Sequence, residues 1–430
     1  MAGVYTPNLP NQVLVSGTEL LAADFAPAAP AIGGLVPSAV ALSASQIAGT
    51  LGQGSSQKNL LIGGDFTAGI NLWQRGTSGT ITSATPTYTA DRWAAWTAGG
   101  GSGSVAWSQQ ADTNFATGDA WNHALRWGRT NGNANTGVIG LLQAIETKRS
   151  LPAIGEWVNF SFWAKAGATF ATGATSGLVN VYISAGTGTD GSAANLVPAT
   201  AGWTNFKQLT VNVPSYGLQT VSPANQASIS GTYTGLQLTN TAYFVPSTAW
   251  QQYQFTAFVP ATIAGSNVQQ IGVVLTYTPT GTAGATEWVE FAQMQLEAVS
   301  STAPFATLFE HRPADIEALL QYRFYYRLTE TANTIFGSGI AIAANTPRVN
   351  IAFPTPMRIA PSNVTATVGG LSIATNTGAA VAQAALTGIT AGVNTVFSGQ
   401  IVGTNTIAQW SNITLYGTNT TGIFDFSAEL

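Results

Sequence analysis

Residues 157–165 read WVNFSFWAK, and residues 287–297 read EWVEFAQMQLE. Both stretches alternate apolar with polar residues and favour aromatic or β-branched side chains, a pattern that predicts β-strands. The pattern recurs along the chain in SVAWSQQ, LVNVYIS, FKQLTVNVP, YQFTAFVP and IGVVLTYTP. Turns rich in Gly, Asn and Pro separate these stretches, without an intervening helical pattern. We therefore predict an all-β fold with a jelly-roll β-sandwich over residues 59–306.

A short linking helix is predicted within residues 307–330, in RPADIEALLQYRFYYRL. Pro313 suits the first helical position, and Asp315 and Glu317 fall in the first turn, where the helix dipole favours acids. An apolar stripe follows at helical spacing: Ile316, Leu319, Leu320 and Phe324. We expect this stripe either to pack against its own domain or to pack around the three-fold axis of an oligomer.

Residues 331–430 return to strand patterns, including TIFGSGIAIA, RVNIAFPTPM and TVFSGQIVG, and predict a smaller C-terminal β-sandwich. Charged residues become sparse here. After Glu330 they are Arg348, Arg358, Asp425 and Glu429. A domain with so few charged residues is suited to burial against copies of itself. We therefore predict that residues 331–430 form a tip and oligomerisation domain.

Residues 1–58 are rich in Ala, Pro, Gly and Ser and contain too little apolar surface to fold alone. The segment LVPSAVALSASQIAG could become ordered against another protein. We interpret residues 1–58 as an arm that anchors the chain to a partner, with a plain linker as the alternative.

Charged residues make up 7% of the chain and apolar residues 45%, whereas charged residues average about 25% in proteins. A fraction of charged residues this low indicates a surface that is covered by partner chains, as in a structural oligomer. The net charge of −4 and the absence of Lys/Arg clusters argue against nucleic acid. No stretch predicts membrane insertion, and the N-terminus lacks the basic residues of a signal peptide.

The residues that could support catalysis are scattered. Glu287 and Glu290 should point to opposite faces of their strand. The histidines, His123 and His311, are far apart and lack metal-ligand spacing. The sequence has no Gly-x-Ser-x-Gly elbow and no phosphate-binding glycine motif. We therefore predict a protein that is not an enzyme and has no cofactor or metal.

The 12 tryptophans favour sugar binding instead, because an exposed indole can stack on the apolar face of a pyranose. Core packing is the competing interpretation, and we expect it for Trp163 and Trp288, which lie in alternating strands. The candidates for sugar contact lie near predicted loops: Trp73, Arg75, Trp96 and Trp121.

Several motifs occur in a recognisable order. NLLIGGDF (59–66), LWQRGTS (72–78) and YTADRW (88–93) open the first domain, FAQMQLEAVSSTAPFA (291–306) closes it, and EHRPADIEALLQYRFYY (310–326) follows. FPTPMRIAPS (353–362) and the terminal FDFSAEL lie in the last domain. Together they resemble phage tail-fibre and other virion structural proteins. The first domain is similar to galactose-binding-like jelly rolls and carbohydrate-binding modules, although Gly63-Gly64 replaces their usual Asn-Gly.

The resemblance implies a phage virion structural protein, most simply a homotrimer. Residues 1–58 would bind other virion proteins, and the jelly roll would bind a host-surface glycan or act as a spacer. The alternatives are a polysaccharide-degrading tailspike, a capsid-decorating head fibre without a receptor role, and a secreted cellular sugar-binding module.

The first motifs also contain charged residues whose role has two interpretations. Asp65 with Arg75 or Arg92, and Asp91 with Arg92, could form structural ion pairs, because an unpaired buried charge is costly. Alternatively, the same residues line a sugar site.

Overall fold

The structure is a computed structural model of the 430-residue chain. It describes residues 15–16, 19–20, 58–66, 73–99, 104–111, 123–174, 177–191, 193–196, 204–212, 231–232, 242–301, 305–329, 335–344, 346–361, 363–366, 371–375, 380–390, 394–403, 407–417 and 423–429. The chain divides into two compact units, Met1–Gln57 and Lys58–Leu430. Most of the arm 1–58 lies outside the described residues, so its anchoring role stays a prediction.

Strands dominate the described residues. They are β1 (Val15–Ser16), β2 (Glu19–Leu20), β3 (Ser78–Ile81), β4 (Thr87–Tyr88), β5 (Ala94–Thr97), β6 (Val105–Ala111), β7 (His123–Arg129), β8 (Ile139–Ala144), β9 (Trp157–Ala166), β10 (Val179–Thr187), β11 (Thr204–Gln208), β12 (Val211–Asn212), β13 (Gly231–Thr232), β14 (Ala242–Phe244), β15 (Gln251–Phe258), β16 (Thr262–Ile263), β17 (Ser266–Asn267), β18 (Gln270–Tyr277), β19 (Trp288–Val299), β20 (Tyr325–Thr329), β21 (Ile335–Ala343), β22 (Thr346–Ala352), β23 (Asn363–Ala366), β24 (Leu371–Thr375), β25 (Ala380–Thr390), β26 (Val396–Gly403), β27 (Asn412–Gly417) and β28 (Ile423–Ser427). The α-helices are α1 (Thr147–Ser150), α2 (Phe170–Gly173) and α3 (Ala314–Tyr322), and two 3-10 helices span Leu151–Ala153 and Ala193–Leu196. The predicted all-β fold is confirmed.

Two antiparallel sheets form the first domain of the second unit. The first sheet has the order β13-β11-β10-β18-β8-β5-β4, with β14 also paired to β10. The second sheet has the order β12-β15-β9-β19-β7-β6-β3. Alternation directs Phe160 and Phe162 of β9 inward, where they meet Val181 and Ile183 of β10 in one hydrophobic core. The two sheets therefore form a sandwich.

The outer face of the first sheet is also buried. Trp96, Tyr182 and Val274 lie on this face in a second apolar cluster. Leu196 of the second 3-10 helix and Phe324, which follows α3, pack onto the same cluster. Because the outer face of the first sheet is covered, the side chains of the sandwich that can meet solvent lie on the outer face of the second sheet.

The segment that starts at Asn59 joins the two sheets. The Leu60 amide donates to the Leu296 carbonyl on β19 at 2.7 Å. On the first sheet, the Gln143 side chain both accepts from the Ile62 amide and donates to the Ile62 carbonyl, each at 2.8 Å. The Asn59 amide side chain adds bonds to the backbone of Met294 and Leu296, at 3.0 and 3.1 Å. The motif NLLIGG is therefore a bridge between the sheets rather than a strand.

The two glycines of this motif are required by close backbone approach. A Cβ on Gly64 would lie 2.0 Å from the Met294 carbonyl oxygen. Gly63 has a φ of +70°, and a Cβ there would lie 2.9 Å from the Asp91 carbonyl oxygen. These contacts explain Gly63-Gly64 without reference to a ligand.

Helix α3 lies within the predicted segment, with Asp315 and Glu317 in its first turn as expected. Its apolar stripe packs against the chain in part: Phe324 is buried and Leu320 half-buried in the cluster on the first sheet, whereas Ile316 and Leu319 are exposed. The buried side includes Glu317, whose carboxylate accepts from the Gly63 amide and from Arg312. The apolar pattern of the helix does not predict these polar contacts to the bridging segment, which add to the packing of Ala318 and Tyr322.

The C-terminal domain differs from the predicted smaller sandwich. Its strands close into a six-stranded barrel, β21-β22-β26-β25-β24-β27, beside a three-stranded sheet, β20-β28-β23. One core contains Phe397 and Ile413 of the barrel together with Phe424 and Phe426 of the small sheet. Alternation identifies inward side chains in both architectures, but it does not tell whether β27 pairs with both β21 and β24, which closes the barrel.

No helix among the described residues is long and apolar enough to cross a membrane.

Candidate functional site

The outer face of the second sheet carries a row of charged residues. Opposite Phe160 and Phe162, alternation directs Trp163 and Lys165 of β9 outward. Register then places Ser108, Arg126, Glu290 and Lys165 side by side on β6, β7, β19 and β9. The row crosses the middle of the sheet, where neighbouring strands lie about 4.8 Å apart.

Glu290 lies at the centre of this row between two cations. Its Oε1 accepts from Arg126 Nε at 2.8 Å, and its Oε2 lies 2.9 Å from Lys165 Nζ. The Glu290 side chain is 1% exposed, whereas those of Arg126 and Lys165 are 34% and 21% exposed. The carboxylate therefore lies below the cations and fixes them in place.

Three half-buried tryptophans surround the row. The Arg126 guanidinium lies 4.1 Å from the centre of the Trp288 ring, and Lys165 Nζ lies 4.8 Å from that of Trp250. Trp163 and Trp250 both pack against Ala124 and Ala292, two small buried residues of this face. We call Trp163, Trp250 and Trp288, with Arg126, Lys165 and Glu290, the tryptophan face.

Another part of the same sheet is covered by the chain that leaves the sandwich. The amide of Ala306 donates to Gln254 at 2.9 Å, that of Thr307 to Glu297 at 2.7 Å, and that of Glu310 to Gln295 at 2.8 Å. These acceptors lie on the outer side of β15 and β19. The exit segment therefore bounds the tryptophan face along the strand direction.

The tryptophan face corrects the expectation that Trp163 and Trp288 are core residues. The stretch WVNFSFWAK has aromatic side chains on both faces of the strand, so alternation alone does not tell which set of side chains faces the core. Phe160 and Phe162 take the inner positions. The useful sequence signal was the shared parity of Trp163 with Lys165 and of Trp288 with Glu290, which sets aromatic and charged side chains on one face.

Chemically, the tryptophan face combines flat apolar surfaces with fixed donors. Indoles stack on apolar ligand surfaces, and cations held over aromatic rings are positioned at little further entropic cost. Glu290 is engaged with two cations, and Glu287 lies on the opposite side with both carboxylate oxygens bonded to Arg129, at 2.6 and 2.7 Å. The arrangement suits binding of an extended polar ligand.

Arg129 and Glu287 form a separate buried cluster that organises loops. Their side chains are 1% and 0% exposed. Arg129 also donates to the carbonyls of Asn133, Asn135 and Gly281, at 3.1, 2.8 and 2.8 Å. This cluster ties together the loops at one end of the sandwich.

Of the predicted sugar-contact residues, Trp73 is half-buried. Its ring stacks on Trp107 at 6.2 Å, and its Nε1 donates to the Phe66 carbonyl at 3.3 Å. Trp96 is 1% exposed, so the expectation that its indole is exposed is wrong. The residue lies over Gly140 beneath the cover of the first sheet, which local sequence does not reveal. Trp121 lies outside the described residues.

Arg75 belongs to a different site, the junction between the sandwich and the three-stranded sheet beside the barrel. Its guanidinium donates to Glu429 at 2.7 Å and lies 3.5 Å from the centre of the Tyr325 ring. Arg92 also pairs with Glu429 and donates to the Ala144 carbonyl at 2.7 Å. Glu429, close to the end of the chain, was missed because nothing local connects it to Arg75 or Arg92.

The predicted acidic residues have ion-pair neighbours, but these differ from the expected ones, which were Arg75 or Arg92 for Asp65 and Arg92 for Asp91. Asp91 Oδ1 lies 3.8 Å from Arg75 Nε. Burial raises the pKa of Asp91 to about 7, and this effect outweighs the lowering by Arg75 and by hydrogen bonds from Gln74. Asp65 Oδ2 lies 3.6 Å from His311 Nδ1. Arg75, Asp91, Arg92 and Glu429, which we call the junction cluster, thus lie at a domain contact and not on the tryptophan face.

Within the part of the chain that the structure describes, no group of three or more His, Cys, Asp or Glu residues could hold a metal ion.

No protein-family model matches this sequence, and no curated protein matches it. Among solved structures, one of carbohydrate-binding modules from the β-sandwich superfamily is 12% identical, with a TM-score of 0.26 over 50% of this chain and 63% of that one, which is less than two thirds of its length. The CBM22-1 xylan-binding domain of Paenibacillus barcinonensis Xyn10C is 12% identical, with a TM-score of 0.23 over 52% of this chain and 94% of that one. A cyclase from Fischerella sp. TAU is 11% identical, with a TM-score of 0.26 over 57% of this chain and 99% of that one. These scores are low, so the fold described above rests on this chain's own strand pairing.

Proposed function

We propose that this chain is a non-enzymatic glycan-binding protein and that the tryptophan face is its binding surface. The observation that carries the proposal is the grouping of Trp163, Trp250 and Trp288 around an immobilised Arg126–Glu290–Lys165 row on an outer sheet face. Each indole offers an apolar surface for a sugar ring, and the row offers donors for its oxygens.

The position of the residues favours an extended ligand over a single sugar. Trp288, Trp163 and Trp250 belong to, or directly precede, three neighbouring strands, β19, β9 and β15. Trp163 lies opposite Ala292 on one side and Gln252 on the other. The three indoles therefore belong to neighbouring strands rather than to one spot, and a chain of sugars can reach more than one of them.

The test is the affinity of the full chain for polysaccharides on a glycan array, followed by titration calorimetry with the best binder. Trp163→Ala and Trp288→Ala should each weaken binding about 10-fold, the value of one stacking contact of about 1.5 kcal/mol. Trp410→Ala is the matched control, because Trp410 is 69% exposed on the barrel. Unchanged affinity in both face variants, or no binder at all, would refute the proposal.

We further propose that the protein is a phage virion component of tail-fibre or appendage type, anchored by residues 1–58 and assembled as a homotrimer. The ordered motifs from NLLIGGDF to FDFSAEL support this assignment, as does the low content of charged residues. A chain without residues 1–58 should fold but fail to join particles, as measured by immunoblotting of purified virions. The native mass by light scattering should correspond to three chains, and a stable monomer would contradict the trimer.

A further inference from the structure

We propose that the ligand of the tryptophan face is an anionic polysaccharide, an inference that rests on the proposed function and specifies its ligand class. The first observation is that the cations of this face lie nearer to solvent than the carboxylate does. Arg126 and Lys165 reach solvent, with side chains 34% and 21% exposed, while Glu290 is 1% exposed beneath them. A ligand that approaches this face therefore meets the cations before the carboxylate.

The charge balance supports the same conclusion. Among the described residues of the tryptophan face, two cations share one carboxylate, so the face has a formal charge of +1 (2 − 1). The whole chain has a net charge of −4. The positive face therefore stands out from the chain as a whole and attracts ligand anions over short range.

Hydrogen-bonding chemistry separates an anionic ligand from a neutral one. Arg and Lys side chains donate and never accept, whereas sugar hydroxyls also need acceptors, which beside the row are uncharged groups such as the Ser108 hydroxyl and the Gln252 amide. The face's carboxylate is already engaged, with Oε1 accepting from Arg126 Nε at 2.8 Å and Oε2 2.9 Å from Lys165 Nζ. Ligand carboxylate, sulfate or phosphate groups supply acceptors only, and charge-assisted bonds to such groups are about twice as strong as neutral ones.

The cations are also held in place before a ligand arrives. Arg126 lies between Glu290 and the Trp288 ring, and Lys165 between Glu290 and the Trp250 ring. Each cation therefore loses little conformational freedom when it binds an anion. Acidic groups on the ligand would contact the row while sugar rings stack on the adjacent indoles.

The test uses the full chain and an array of acidic and neutral bacterial polysaccharides. The retained polymers should be acidic. The best binder is then compared with its own neutral form, made by carboxyl reduction, desulfation or dephosphorylation according to the group it carries. We expect at least a 10-fold loss of affinity for the neutral form and a clear loss between 50 and 500 mM salt, both as orders of magnitude.

Variants show whether the tryptophan face is responsible. Arg126→Gln should weaken binding of the acidic polymer about 10-fold. Arg126→Lys keeps the charge but loses the guanidinium plane that lies against Trp288, so its affinity should fall between those of Arg126→Gln and the wild type. Lys148→Gln, which removes an exposed charge on α1, should have no effect. Thermal unfolding of each variant verifies the fold. Tight, salt-insensitive binding of neutral polymers that Trp163→Ala abolishes would overturn the anionic ligand but keep glycan binding. Failure to bind any polymer would overturn both.

Discussion

Asp91 shows how burial and pairing compete at a single residue. Its Oδ2 accepts two hydrogen bonds from Gln74, at 3.1 and 3.0 Å, and Arg75 is its ion-pair neighbour. Burial nevertheless raises its pKa from 3.8 to about 7. The folded chain therefore binds this proton more tightly than the unfolded chain does.

The shift in pKa predicts the sign of a pH effect on stability. The stabilisation from protonated Asp91 is fully present below pH 3.8 and is lost as pH rises through about 7, by about 4 kcal/mol in all. Asn cannot ionise, so Asp91→Asn should lose less unfolding free energy than the wild type across this range. Urea unfolding at pH 5 and pH 8 measures the difference. Parallel pH profiles for the two proteins would refute the raised pKa.

At the scale of elements, periodicity predicted most strands of the sandwich and of the C-terminal domain. WVNFSFWAK corresponds to β9 and TVFSGQIVG to β26, because alternation is a local property that tertiary packing preserves. What periodicity missed depends on contacts between distant segments. The outward orientation of Trp163 depends on which face of β9 meets the first sheet, and barrel closure depends on the partners of β27.

The bridging segment gives an element-scale prediction. Gly64→Ala should destabilise the protein by about 3 kcal/mol, because the new Cβ would lie 2.0 Å from the Met294 carbonyl oxygen and separate the segment from β19. Gly132→Ala is the control: its φ is +80° but its Cβ would meet nothing within 4 Å. That change should cost about 1 kcal/mol. Equal losses in denaturant unfolding would contradict the bridging role.

At the scale of the molecule, several charged residues form ion pairs where parts of the chain meet. Arg323 of the linker pairs with Glu146 of the sandwich at 2.8 Å, and Arg358 of the barrel domain pairs with Asp190 of the sandwich at 3.2 Å. Low charge was interpreted from composition as a sign of oligomerisation. The structure adds that several of these few charges pair with each other between the sandwich and the C-terminal domain, so fewer of them remain for the surface.

Glu429 binds two arginines of the sandwich at this joint. Its carboxylate neutralises Arg92, whose side chain is 2% exposed, and also binds Arg75. Glu429→Gln should therefore lower the unfolding free energy by about 3–5 kcal/mol, as expected when one partner of a buried pair is removed. Glu156→Gln is the control, because Glu156 is exposed on the sandwich and its substitution should change the unfolding free energy by about 0.5 kcal/mol or less. Similar midpoints in thermal unfolding of the two variants would refute the joint.

The central claim, that the tryptophan face binds a glycan, is tested most directly by a crystal structure of the full chain with an oligosaccharide of its best-binding polymer. We predict sugar rings against Trp163, Trp250 and Trp288, with ligand oxygens on Arg126 and Lys165. A well-occupied oligosaccharide on the barrel or at the junction cluster, with the tryptophan face empty, would contradict the account.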